Sequence, residues 1–202
     1  MIKSHRIQSN NIIDPKFLLS AYASGYFPMA ESRQGEIRWH SPDPRAIIPL
    51  DKLKISRSLR QIIKKHIFDV RLNTAFEPVI RCCAERKDTW ISEEIIQSYL
   101  RLHQLGYAHS VEIWKDDALV GGLYGVALGA AFFGESMFSK VRDASKVALV
   151  HLVERLNAKK FELLDTQFIT PHLSRLGAAE IPRKTYLNLL KKAVRKERSF
   201  LD

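Results

Sequence analysis

One stretch constrains this chain more than any other. From Ala108 to Phe138 apolar residues recur with period two, and before and after it they recur with a helical period. Period two marks strands because successive side chains on a strand point to opposite faces. Three strands are predicted, over Ala108–Trp114, Leu119–Leu128 and Ala131–Phe138, with Lys115-Asp116-Asp117 as the first turn. The helical period returns in Ala144–Leu156, where Ala148, Leu149, Leu152, Val153 and Leu156 form one buried stripe behind Asp143 as cap. A further strand is predicted over Phe161–Gln167. Strands first, then a helix, a strand and more helix make an α+β pattern and exclude an all-helical bundle.

The flanking segments extend the pattern. Asp14-Pro15 opens a short helix through Tyr22. Gly25–Met29 is predicted irregular, and Pro42 and Pro44 flanking Asp43 forbid regular helix across Trp39–Arg45. Residues 1–53 are expected as a small annex domain, and 54–202 as the main domain. Ser56 starts a helix to about His66 with Arg57, Arg60 and Lys64 on one face and Leu59, Ile62 and Ile63 on another. A strand at Phe68–Leu72, a helix at Thr74–Glu85 and a Ser92-capped helix with Ile95, Ile96, Tyr99 and Leu102 inward come next. A short helix at Pro171–Leu176 and a basic helix at Arg183–Lys196 close the chain.

Charge and composition bound the function. The chain has 202 residues and a formal charge of +10, which points to a polyanionic partner such as nucleic acid. A hydrophobic content of 46% excludes disorder as a description of the whole chain. The most apolar run, Leu119–Phe133, holds four glycines and falls short of the ~20 residues of a membrane span. Met1–Asn10 is polar, without the apolar core of a secretion signal. A soluble cytoplasmic protein, a monomer with no membrane association, is expected. The adjacent Cys82 and Cys83 belong to a helix and suit core packing, not a disulfide or a nucleophile. The seven histidines lack metal-ligand spacing, so no metal is expected.

Two polar clusters interrupt the strands. In Phe133-Gly134-Glu135-Ser136-Met137-Phe138, period two places Glu135 and Met137 on one face beside Phe133. A carboxylate next to apolar side chains suits an amphiphilic ligand; a buried Glu paired with a structural Arg is the alternative. In Asp165-Thr166-Gln167 the first and last residues share a face. An aspartate that accepts from the glutamine NH2 would aim the amide oxygen outward as an acceptor. Glutamine is a poor base, so it orients; a plain polar strand end is the alternative.

The strand–strand–strand–helix–strand order of 108–167 is that of acetyltransferase-like mixed sheets, in which the acyl donor enters between two parallel strands. Coenzyme A is disfavoured, because Lys140–Lys146 lacks the glycines of a pyrophosphate loop, and no cofactor is expected. An aminoacyl-tRNA donor fits a basic protein better. A coenzyme A-dependent N-acetyltransferase and a non-catalytic tRNA-binding module remain as rivals.

The sequence strongly resembles the leucyl/phenylalanyl-tRNA–protein transferases from about Ala21 to Tyr186. The motifs are Gly25-Tyr26-Phe27-Pro28, Ser41-Pro42-x-x-Arg45, Ser56-Arg57-Ser58, Thr89-Trp90-Ile91, Ala108-His109-Ser110-Val111-Glu112, Leu119 to Gly125, Gly134 to Phe138, Ala144-Ser145-Lys146, Asp165-x-Gln167 and His172. The resemblance implies transfer of Leu or Phe, and less readily Met, from aminoacyl-tRNA to proteins that begin with Arg or Lys, marking them for degradation. It implies Asp165 and Gln167 as the reaction pair and Glu135 as a substrate-site carboxylate. Leu123, Phe132, Met137, Leu152, Leu156 and Leu164 would line the side-chain pocket. Trp90, Tyr22 and Tyr99 would surround the terminal adenosine. Arg57, Arg60, Lys64 and Lys65 would meet the tRNA backbone. The chain departs from some members of the family, which carry Trp at the position of Met29 and a second aromatic at that of His40.

Overall fold

The computed structural model describes residues 12–201; the polar Met1–Asn10 segment lies outside them. The chain opens with helix α1 (Pro15–Ala23), whose N-cap Asp14 accepts a hydrogen bond from the Phe17 amide at 2.9 Å. Strands β1 (Phe27–Ala30) and β2 (Ile37–His40) then pair antiparallel, Phe27 opposite His40 and Pro28 opposite Trp39. This hairpin corrects the expectation of an irregular Gly25–Met29 segment: Pro28 contributes only the acceptor side of its residue, which a two-stranded ribbon tolerates.

After β3 (Arg45–Ile47) come α2 (Arg57–Lys64), β4 (Asp69–Leu72), α3 (Phe76–Ala84) and α4 (Glu93–Gln104). Then follow β5 (Ala108–Lys115), β6 (Ala118–Leu128), β7 (Ala131–Ser139), α5 (Ala144–Ala158) and β8 (Leu163–Gln167). The chain ends with α6 (Pro171–Arg175), β9 (Ala179–Ile181) and α7 (Arg183–Ala193). Seven strands form one mixed sheet in the order β4-β5-β6-β7-β8-β3-β9. Its β7–β8 pair is parallel, joined by α5 as crossover. The expected α+β architecture, a mixed sheet with flanking helices, is therefore present. Strand β3 falls inside the first 53 residues, yet it is an interior strand between β8 and β9.

Each sheet face carries its own core. Tyr22, Val79, Ile80, Ile95, Tyr99, Tyr124, Phe133 and Tyr186 pack beneath α1, α3, α4 and α7. On the opposite face, Leu123, Phe132, Leu149, Leu152, Leu156 and Leu164 pack with α5. Each fully buried leucine or phenylalanine contributes roughly 1.5–3 kcal/mol. Helix α2 turns Leu59 inward against this second core and leaves Arg57, Arg60 and Lys64 in solvent.

Two local features shape the site. The β5–β6 turn has Asp116 at φ 49° and Asp117 at φ 58°, the left-handed pair that a two-residue hairpin requires. Strand β7 carries a bulge: Gly125 faces Gly134 but Tyr124 faces Ser136, so Glu135 is the extra residue. The bulge flips the alternation. Before it Phe132 faces the α5 core and Phe133 the opposite one; after it Met137 faces the α5 core and Phe138 the opposite one. The expectation that Phe133, Glu135 and Met137 share a face is thereby corrected. The expected Asp143 cap is corrected too. Asp143 is left-handed (φ 66°), makes no cap hydrogen bond and pairs with Lys146 at 2.6 Å. Ser139 Oγ instead accepts from the Ser145 amide at 3.2 Å.

Candidate active site

Where β7 and β8 run parallel the sheet opens into a cavity of about 710 Å3. The bulged end of β7 and the C-terminal end of β8 form its walls, and α5 and α6 close one side. The last registered pair between the two strands is Phe133 with Asp165; beyond it the strands part. Leu123, Met137, Leu149, Leu152 and Leu164 give the cavity an apolar end. Glu135 and Gln167 stand at its polar end, and Trp90 and Met29 at a further wall. The cations Arg86 and Lys140 line it as well.

Glu135 is built in by the bulge. Tyr22 donates to its Oε1 at 2.7 Å and Tyr99 to its Oε2 at 3.2 Å, and the two phenol oxygens touch each other. Burial pushes the Glu135 carboxyl up to about 8; the two tyrosines and Arg45 oppose the shift and Asp165 adds to it. Burial likewise raises both tyrosines well above their ordinary value.

Asp165 is fully buried and does not line the cavity. Arg45, itself 1% exposed, grips it as a fork, Nε to Oδ1 at 2.9 Å and Nη2 to Oδ2 at 2.6 Å. Tyr186 donates to Oδ2 at 2.8 Å. The remaining reach of Oδ1 goes to the backbone N–H of Gln167 at 2.9 Å. Gln167 sits at φ 58°, a left-handed conformation that costs a residue other than glycine about 1–3 kcal/mol. Its side-chain NH2 points at Glu135 Oε1 over a long 3.5 Å. The expected contact between Asp165 and the Gln167 NH2 is thus corrected: Asp165 holds the Gln167 backbone, and Glu135 faces its amide.

The structure gathers most of the sequence-derived candidates and separates others. Leu123, Met137, Leu152, Leu164, Glu135, Gln167 and Trp90 line the cavity. Phe132 and Leu156 do not; both are fully buried, with Phe132 against Phe200 at 5.3 Å. Tyr22 and Tyr99 are also fully buried, so neither ring has a free face for a nucleobase, and they hold Glu135 instead. Arg57, Arg60, Lys64 and Lys65 are exposed on and just after α2. His40 stacks on Phe27 at 5.9 Å and does not line the cavity. Cys83 is buried, its thiol pushed up to about 12, while Cys82 borders the cavity.

Leu149, Tyr124 and Thr166 line the cavity, and the Arg45–Tyr186 pair stands behind it, without local sequence marking any of them as site residues. Leu149 was legible as part of the α5 stripe. Arg45 was visible only as a motif residue, because nothing local marks an arginine for burial. Among the described residues four buried side-chain polar atoms lack a hydrogen-bond partner, and three belong to cavity residues: the Tyr124 hydroxyl, Thr166 Oγ1 and His172 Nε2. Among the described residues no cluster of three or more His, Cys, Asp or Glu side chains could hold a metal ion. No helix there is long and apolar enough to cross a membrane.

Fold and cavity define an α+β protein whose sheet parts beside a cavity lined by both apolar and polar side chains. A family model described as leucyl/phenylalanyl-tRNA protein transferase matches residues 47–191, and the model of that family's N-terminal domain matches residues 11–43. A leucyl/phenylalanyl-tRNA–protein transferase of Gloeobacter violaceus is 56% identical over 182 residues, which cover 90% of this chain and 94% of the relative. A protein of the same name from Herpetosiphon aurantiacus is 56% identical over 189 residues, covering 93% and 98%. Among solved structures, a ribosomal-protein-alanine N-acetyltransferase from Brucella melitensis biovar Abortus 2308 aligns with a TM-score of 0.35 and 16% identity, over 48% of this chain and 76% of that one. The chain belongs to the leucyl/phenylalanyl-tRNA–protein transferase family.

Proposed function

We propose that this protein moves Leu or Phe, and less readily Met, from aminoacyl-tRNA to the α-amine of proteins that begin with Arg or Lys, forming a peptide bond that marks them for degradation. The observation that carries this reading is the cavity between β7 and β8, apolar at one end and faced by Glu135 and Gln167 at the other. The apolar end, bounded by Leu123, Met137, Leu149, Leu152 and Leu164, takes the side chain of the esterified residue. Trp90, the one predicted adenosine-facing aromatic that lines the cavity, stacks on the terminal base.

The chemistry needs little from the protein beyond placement. The ester is already activated, and alignment of reactants contributes up to roughly 7–11 kcal/mol. The neutral amine nitrogen attacks the ester carbonyl carbon. The C–N bond forms, the C–O bond to the ribose breaks, and the amine proton ends on the ribose oxygen. With its NH2 turned to Glu135, Gln167 presents its amide oxygen to the attacking N–H. Asp165 acts at one remove through the Gln167 backbone. Arg57, Arg60, Lys64 and Lys65 hold the tRNA backbone without reading its sequence.

Incubation with labelled Phe-tRNA and a peptide beginning with Arg tests the activity: labelled peptide is expected, and labelling of no peptide refutes it. The same incubation with acetyl-coenzyme A distinguishes an N-acetyltransferase by product mass. Gln167→Ala is expected to lower kcat strongly with tRNA binding retained, and native turnover in that variant removes the role given to Gln167.

A further inference from the structure

We propose that Arg45 and Tyr186 are positioning residues for the transfer reaction, acting through Asp165 to hold Gln167 in the backbone conformation that points its amide into the cavity. The inference rests on the role given to Gln167 above.

Three elements far apart in sequence meet at one carboxylate. Arg45 begins β3, Asp165 lies in β8 and Tyr186 in α7. Arg45 occupies both Asp165 oxygens, and Tyr186 adds a second donor to Oδ2. The guanidinium is itself fixed. Its centre lies 4.6 Å from the Phe27 ring centroid and 4.5 Å from that of Tyr186, and Nη1 donates to the Gly25 carbonyl at 3.1 Å. A carboxylate held from two sides cannot rotate, so the acceptor lobe of Oδ1 aimed at the Gln167 N–H has one direction.

That direction matters because Gln167 is not in a relaxed conformation. At φ 58° a glutamine returns to extended backbone unless its surroundings hold it. Extended backbone at the end of β8 would swing the side chain away from Glu135. Asp165 accepts the amide hydrogen that stabilises the left-handed turn, and Arg45 with Tyr186 keeps Asp165 in place to do so. The cluster also explains why a fully buried ion pair stands beside the cavity without lining it. It links the segment that carries Phe27, itself a cavity residue, to the orientation of Gln167.

A double-mutant cycle tests this in the full-length protein. Tyr186→Phe keeps the ring against Arg45 and removes only the hydroxyl that anchors Asp165. It is expected to lower kcat by about 10- to 100-fold, the scale of a 1 Å misplacement, with KM for aminoacyl-tRNA unchanged and the melting transition still cooperative. Gln167→Gly occupies the left-handed region without strain and lacks the amide. In that background Tyr186→Phe is expected to change kcat no further. Arg45→Lys retains the charge but not the fork, and is expected to behave as a stronger Tyr186→Phe. Equal losses from Tyr186→Phe in both backgrounds, or a change in KM alone, overturn the positioning role. If Gln167→Gly by itself turns over at the native rate, the role of Gln167 falls and this inference falls with it. A slowed Gln167→Gly with additive Tyr186→Phe refutes only the clamp.

Discussion

Replacing Glu135 by Gln gives the sharpest test of how the bulge builds the site. The wild-type carboxyl is held near 8 by burial, far above the 4.5 of a free glutamate. The folded protein therefore keeps a proton that the unfolded chain releases. The stability this lends is full below about pH 4.5, and it drains away as pH rises through 8. Each pKa unit corresponds to about 1.4 kcal/mol, so a fully dry site would lose several kcal/mol. Glu135 lines an open cavity, where water screens part of that loss, and roughly 1–3 kcal/mol is the expected reading. Glutamine keeps the shape and cannot ionise. Scanning calorimetry of both proteins at pH 5.5 and pH 9 should show Glu135→Gln gaining on wild type by roughly 2–10 °C at the higher pH. A melting difference that is the same at both pH values would refute the buried, proton-holding carboxyl.

Gly125→Ala should destabilise by about 1–3 kcal/mol or more, because a Cβ there would lie 2.2 Å from the Phe133 carbonyl oxygen and 2.4 Å from the Phe132 ring; urea denaturation reads the loss, and native stability would argue against the tight β6–β7 contact beside the bulge. Met137→Trp places a large ring at the apolar end of the cavity and should reduce transfer of Phe more than of Leu, as rates with the two aminoacyl-tRNAs would show; an unchanged ratio counts against the pocket. Charge reversal at Arg60 and Lys64, both exposed on α2, should weaken tRNA binding and lower the slope of log affinity against log salt by about two, and a wild-type slope takes that stripe out of the interface.

The elements legible before folding were those whose cause is local. Caps at Asp14, Ser56 and Ser92 each accept the amide hydrogen three residues on, and a side chain so close in sequence needs no tertiary partner. The long strands β5 to β7 announced themselves because eight to eleven residues of alternation outrun any helical pattern. The same was true of α5, whose stripe from Ala148 to Leu156 repeats at helical spacing. Motifs around Glu135 and Asp165 were visible as polar breaks in apolar strands.

What the fold alone decided was pairing across distance. Strands β3 and β9, three residues each, carry no measurable period; β3 forms on the edge that β8 offers, and β9 on the edge that β3 then offers. The bulge at Glu135 depends on the packing of Phe132 and Phe133 against Gly125, so alternation read from the sequence ran one residue out of phase past that point. Tyr22 and Tyr99 read as aromatics free to stack; 77 residues apart, they meet behind Glu135 and spend their hydroxyls on it. Arg45 and Asp165 are separated by 120 residues. A charge becomes worth burying only when its partner arrives from elsewhere in the chain, and that arrival is a property of the tertiary structure.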